Sequence, residues 1–139
     1  MRYMLTGVDA EGRSCVVEET ELGRPGDEMV QHRVFATDQS PPGPRPTGHG
    51  ADLDLGVAPG LARWLGVHWP AGREAHLHHT DTVDFDTVLG GSVVLVLDDG
   101  DHLMEVGDCV LVDGVDHSWR AGPEGCTMSV VLLGSVPPS

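Results

Sequence analysis

His76, His78 and His79 fall within four consecutive residues, five residues separate His78 from Asp84, and His117 stands some forty residues beyond the cluster. Imidazole nitrogens and a carboxylate are the donor set for Fe, Mn, Ni, Co or Zn, with positions left open for water or substrate. Without a metal, the same imidazoles could move protons near neutral pH. Either chemistry needs the side chains on one surface. Residues i and i+2 of a strand share a face, so His76 and His78 lie together and His79 lies opposite. Only one of these sets faces inward. If it is His76 and His78, a short loop over residues 80–83 returns Asp84 to the same site, and His117 closes it at the start of a later strand.

The elements that must position these groups are short and punctuated. Nineteen glycines and ten prolines without a repeat period favour many brief strands over long helices, and no window carries a sustained helical apolar stripe. Residues 3–8 and 14–18 predict an N-terminal hairpin turned at residues 9–12. Residues 18–28 are acidic and interrupted by Gly23-Arg24-Pro25-Gly26, which predicts a loop, and residues 29–37 alternate as a third strand would. The Pro- and Gly-rich run over residues 40–56 predicts an irregular, mobile loop or lid. Further strands are expected over residues 61–69, 74–79, 85–89, 92–97, 102–106 and 109–113, with Asp98-Asp99-Gly100 as a type I′ hairpin turn. After His117–Arg120 and a turn at Pro123-Glu124-Gly125, residues 126–133 are apolar on both parities and should be buried on both faces. Eight to eleven such strands imply a sandwich or closed jelly-roll barrel with an interior cavity. One structural domain results, with residues 1–60 packed on a barrel core formed by residues 61–139.

The motif His76-Leu77-His78, five residues, Asp84, six residues, Gly91 resembles the first cupin motif, in which two histidines and an acid bind metal and a glycine closes a turn. Gly107, six residues, Gly114, two residues, His117 resembles the second, whose histidine is the remaining ligand. The stretches over residues 6–14, 78–85 and 97–100 are similar to small single-domain cupins. The sequence departs from the pattern where Asp84 replaces the usual glutamate and where the second motif lacks its proline and its terminal asparagine. The resemblance implies an all-β, cupin-type jelly-roll β-barrel with an N-terminal β-hairpin extension. It implies metal ligation by His76, His78, Asp84 and His117, by three of them, or a metal-free pocket in which His78 and His117 are acid and base. It also implies a range of activities: dioxygenase, decarboxylase, isomerase, cyclase or dehydratase.

Composition narrows the partners. A formal charge of −14 with eight basic residues argues against nucleic acid and anionic membranes, and no stretch is long and apolar enough for a membrane span. Three cysteines without CxxC spacing read as reduced thiols in a cytoplasmic protein. No nucleophile elbow, P-loop or dinucleotide fingerprint is present. The expected function is therefore a metal-dependent enzyme acting on a small, oxygen-rich and often anionic molecule, in secondary metabolism. A non-catalytic ligand-binding or sensor cupin is the alternative. Trp64 and His68 share a parity and are expected at the cavity mouth, with a core histidine as the other account of His68. Trp119 shares the parity of His117 and walls the pocket or packs the core. A homodimer through the N-terminal hairpin is expected, because that hairpin carries more apolar residues than a small barrel needs.

Overall fold

Two long strands, each broken by a bulge, set the architecture. In the computed structural model, which describes residues 1–23 and 26–139, β6 (Thr82–Leu97) and β9 (Ser118–Gly134) pair antiparallel over most of their length. The register slips between Val88 and Gly90 and again between Gly91 and Val93. A bulge adds a residue on one strand and bends it, so the inward parity flips. Asp84, Asp86 and Val88 are buried before the bulge, and Val93, Leu95 and Leu97 after it. Gly91 sits at this corner with φ 68°, and a β-carbon there would collide with the Gly125 carbonyl. Only glycine fits such a position.

The bend lets one pair of strands serve both layers. The first half of β6 lies between β9 and β8 (Cys109–Asp113), and the second half lies between β9 and β7 (Gly100–Glu105). Beyond β8 come β1 (Arg2–Val8), which pairs with it in parallel, and β2 (Ser14–Glu21); β4 (Ala62–Trp69) closes the other end against β9. Two short strands, β3 (Ala51–Asp52) and β5 (His78–His79), pair in parallel. Met4, Val88, Val93, Leu95, Met104, Val112 and Met128 fill the interior. The fold is an all-β jelly-roll barrel, as expected, with the N-terminal hairpin continuing its sheet.

Several local expectations give way to this arrangement. Residues 29–37 form no strand: the segment crosses the sheet as coil, with Phe35 against Phe85 at 5.9 Å between ring centroids, and makes no ladder. The acidic loop expected from residue 18 starts later, because β2 continues to Glu21; Arg24 and Pro25, within the expected turn, lie outside the described residues. The strands expected over residues 85–89 and 92–97 are one strand, and the turn expected at residues 123–125 is absorbed into β9, because long neighbours pair across both interruptions. Residues 126–133 bury one parity, while Thr127 is exposed and Val131 and Leu133 are half-buried, so burial on both faces does not occur. The hairpin at Asp98-Asp99-Gly100 forms, but only Gly100 has positive φ, which excludes a type I′ turn. Of residues 74–79, only His78 and His79 are strand; Glu74 makes an isolated bridge to Arg120.

The proline- and glycine-rich run is irregular but anchored. Arg45 pairs with Asp81 at 2.7 Å, the Val136 N–H donates to the Pro42 carbonyl at 3.0 Å, and the Ala51 and Leu53 N–H groups donate to the carbonyls of Leu77 and His79. Gly48 lies so close to the Asp116 carboxylate that no β-carbon would fit. These long-range bonds make the segment a fixed wall of the molecule, in place of the free lid expected from composition.

Candidate functional site

His78 and His117 are brought together by backbone pairing. Each donates its N–H to the other's carbonyl, at 2.9 and 2.8 Å, so they stand directly opposite in an antiparallel bridge with side chains on the same face. Their rings lie 4.3 Å apart, tilted by 54°. Each Nδ1 is hydrogen-bonded to a carbonyl two residues earlier, His78 to His76 O at 2.8 Å and His117 to Val115 O at 2.9 Å. A ring nitrogen bonded to a carbonyl carries the proton, which leaves Nε2 with its lone pair. Among the described residues, neither Nε2 has a hydrogen-bond partner. His117 is 2% exposed, and burial, reinforced by the neighbouring His78, lowers its pKa to about 4. It is a neutral imidazole at physiological pH.

Both rings line a cavity of about 460 Å³ that also takes in His76, Thr80, Asp84, Asp86 and Trp119. Trp119 meets the His117 ring edge-on at 5.9 Å. Asp84 and Asp86 stand side by side on the inward parity of β6, before its bulge. Burial raises Asp84 to about 7, against a partial lowering by the Thr82 hydroxyl that donates to Oδ1 at 2.5 Å. Burial, with the charge of Asp84 second, raises Asp86 well above the usual carboxylate range. Two adjacent buried carboxyls cannot both ionise cheaply. The sequence motifs do not include Asp86, although its spacing of two from Asp84 marks it as a neighbour on the same face.

The remaining wall is apolar and comes from β4 and the second half of β9: Leu65, Val67 and Trp69 with Met128, Val130 and Leu132. The inward parity of β4 is therefore odd. Trp64 and His68, expected at the cavity mouth, point to the outer face; Trp64 is 79% exposed and donates its indole N–H to Ser129 Oγ, and the His68 ring bonds Thr127 Oγ1. β4 has bulky residues on both parities, and its antiparallel pairing with β9 selects which of them is buried. The mouth is instead bordered by exposed Ala51, Asp52, Leu53 and His76.

His79 falls on the opposite side of β5 from His78, as parity requires. It is buried against Asp116, Nδ1 to Oδ1 2.8 Å, and Asp116 also accepts the backbone N–H groups of His49 at 2.6 Å and Gly50 at 3.1 Å. Burial alone would raise Asp116, but these bonds outweigh it and hold its carboxyl below the usual range. His49 completes the group, with Nε2 at 2.9 Å from Asp98 and 3.5 Å from Asp116. Among the described residues, His49, Asp98 and Asp116 are the one trio whose potential ligand atoms all lie within 4.8 Å of one another. His76, His78, Asp84 and His117 share the cavity without drawing three donors that close.

No family model matches this chain. Over 50 residues it is 38% identical to Phomopsin biosynthesis cluster protein C′ of Diaporthe leptostromiformis, covering 35% of this chain and 26% of that protein. Over 88 residues it is 34% identical to Oryzines biosynthesis cluster protein J of Aspergillus oryzae, covering 55% and 49%. The chain thus matches between a quarter and half of the length of these relatives. Among solved structures it overlaps a sugar phosphate isomerase from a cupin superfamily of Silicibacter pomeroyi (28% identity, TM-score 0.46, 52% of this chain and 50% of that one). It also overlaps a cupin-2 domain containing protein from Shewanella frigidimarina (21% identity, TM-score 0.45, 50% and 68%). The chain's own topology, a jelly roll whose two histidine-bearing motifs face each other across one cavity, is a cupin-type fold.

Proposed function

We propose that the cavity is the active site of a metal-dependent enzyme acting on a small oxygenated organic molecule, by dioxygenase, decarboxylase, isomerase, cyclase or dehydratase chemistry. The observation that carries this reading is the pair His78 and His117, each with Nδ1 tied to a backbone carbonyl and Nε2 left for a group the protein itself does not supply. That is how metal-binding histidines are oriented, with Nε2 aimed at the ion. The two imidazoles fit a divalent ion, and His76 and Asp84 are the cavity residues that would complete its shell. When bound, such an ion would polarise a carbonyl or enolate oxygen and lower the pKa of coordinated water. The chain supplies the rest: Asp86 stands beside Asp84 as a proton-carrying group at the cavity wall, and the apolar residues of β4 and β9 exclude water. The resemblance to two biosynthesis cluster proteins supports a place in secondary metabolism.

Elemental analysis of protein purified without a histidine tag tests the reading. Stoichiometric metal that is lost in both His78→Ala and His117→Ala is expected; sub-stoichiometric metal that the substitutions leave unchanged sinks it. Stoichiometric metal without turnover of keto acids, enols or phenols would favour a sensor. A second reading, acid–base catalysis by His78 and His117 without metal, is favoured by the raised Asp84 and by the absence of a third converging donor among the described residues. A homodimer belongs to the same proposal, since β2 ends the sheet with exposed residues, Val17 among them. A light-scattering mass near the 14.8 kDa of one chain would refute it.

A further inference from the structure

We infer that the cavity takes a largely apolar small molecule that carries no negative charge and has a carbonyl, enol or hydroxyl at one end. The inference rests on the reading of this cavity as the substrate site, and it reverses the expectation of an anionic substrate. The chain contains no lysine, so its eight basic residues are all arginines. Among the described residues, none of them lines the cavity. Four are engaged elsewhere: Arg2 with Asp108 and Glu19, Arg13 with Asp9, Arg45 with Asp81, and Arg120 with Glu74 and Asp101. Arg63 donates to the carbonyls of Leu55 and Gly56.

The acids point the same way. Asp84 and Asp86 are in the wall and Asp52 is at the mouth. Whatever their protonation, carboxyls contribute zero or negative charge and never positive. A carboxylate or phosphate entering this space would lose its hydration without gaining a cationic partner, which is the costly case of burial. The sum is that of the chain's own side chains, so anion and ketone binding are compared on protein freed of metal.

Polarity is also unevenly distributed. Polar side chains come from Asp52, His76, His78, Thr80, the first half of β6 and His117, whereas β4, the second half of β9, Leu53 and Leu55 offer hydrocarbon and, at Trp69, an indole ring. A volume of about 460 Å³ is in the range of pockets that enclose small organic ligands. The occupant that matches both halves has an oxygenated head and a hydrocarbon or aromatic body.

Tryptophan fluorescence gives a direct test. Trp64→Phe leaves Trp69 and Trp119, both of which line the cavity, as the only indoles in the chain. Quenching of this variant at pH 8 would be titrated with 4-phenyl-2-butanone, its carboxylate isostere 3-phenylpropionate, and 2-phenylethyl phosphate. In chelator-treated protein the ketone is expected to bind at least tenfold more tightly than either anion. Equal or tighter binding of either anion overturns the inference, as does quenching by none of the three. Metal content, measured on the same preparations before chelation, reports on the metal reading separately. Ketone preference without metal sinks only the metal, and anion preference with stoichiometric metal sinks only the substrate class.

Discussion

Two histidine–aspartate groups sit on opposite sides of β5, made of the same residue types, and they do different things. On the outer side, His79, Asp116, His49 and Asp98 satisfy one another and the backbone, so their bonding capacity is spent on holding residues 48–50 in place. On the inner side, His78 and His117 give one nitrogen to the backbone and keep the other, and Asp84 and Asp86 crowd each other against an apolar wall. Closely packed donor atoms are thus a poor guide to chemistry here. The tightest trio is the one already satisfied by internal pairing, and the proposed site lies where partners are missing.

This contrast can be broken by mutation. Asp116→Ala removes the acceptor for two backbone N–H groups and a buried imidazole, and should lower unfolding free energy by about 3–5 kcal/mol in urea titrations. His78→Ala should cost within about 1 kcal/mol in the same titrations, while abolishing whatever the cavity binds. Comparable losses in the two variants would remove the distinction between a structural outer group and a functional inner one.

The two sides also differ in the sign of their pH dependence. The folded state lowers Asp116, so its contribution is present above the ordinary carboxylate pKa and is lost as pH falls through the folded value. The folded state raises Asp84 to about 7, so its carboxyl favours folding most below 3.8, and that contribution declines as pH rises towards 7. Chelator-treated Asp84→Asn should therefore gain about 3–4 kcal/mol relative to the parent between pH 4 and pH 8. An unchanged difference across that interval would mean that Asp84 ionises in the fold as freely as in the unfolded chain.

Much of the site is legible in the sequence. The spacing of His76, His78, Asp84, Gly91 and His117 places these residues in facing motifs, and parity alone separates His79 from His78. Asp86 is equally legible by parity, but the motif stops at Asp84 and gives no reason to continue to it. Trp64 and His68 mislead for a physical reason: β4 is bulky on both parities, so periodicity carries no sign until β9 pairs with it. The bulge in β6 is a second case, since the buried parity changes between Val88 and Val93, and no constant alternation describes the strand.

By itself the sequence determined the strand-rich character, the corner glycine and the histidines that share a face, because these depend on local sterics and on the two-residue period of a strand. The tertiary structure alone decided that residues 40–56 are anchored through Asp116 and Asp81, that the even parity of β4 faces outward, and that no arginine among the described residues reaches the cavity. Each of those outcomes depends on contacts between residues tens of positions apart, for which local pattern carries no information.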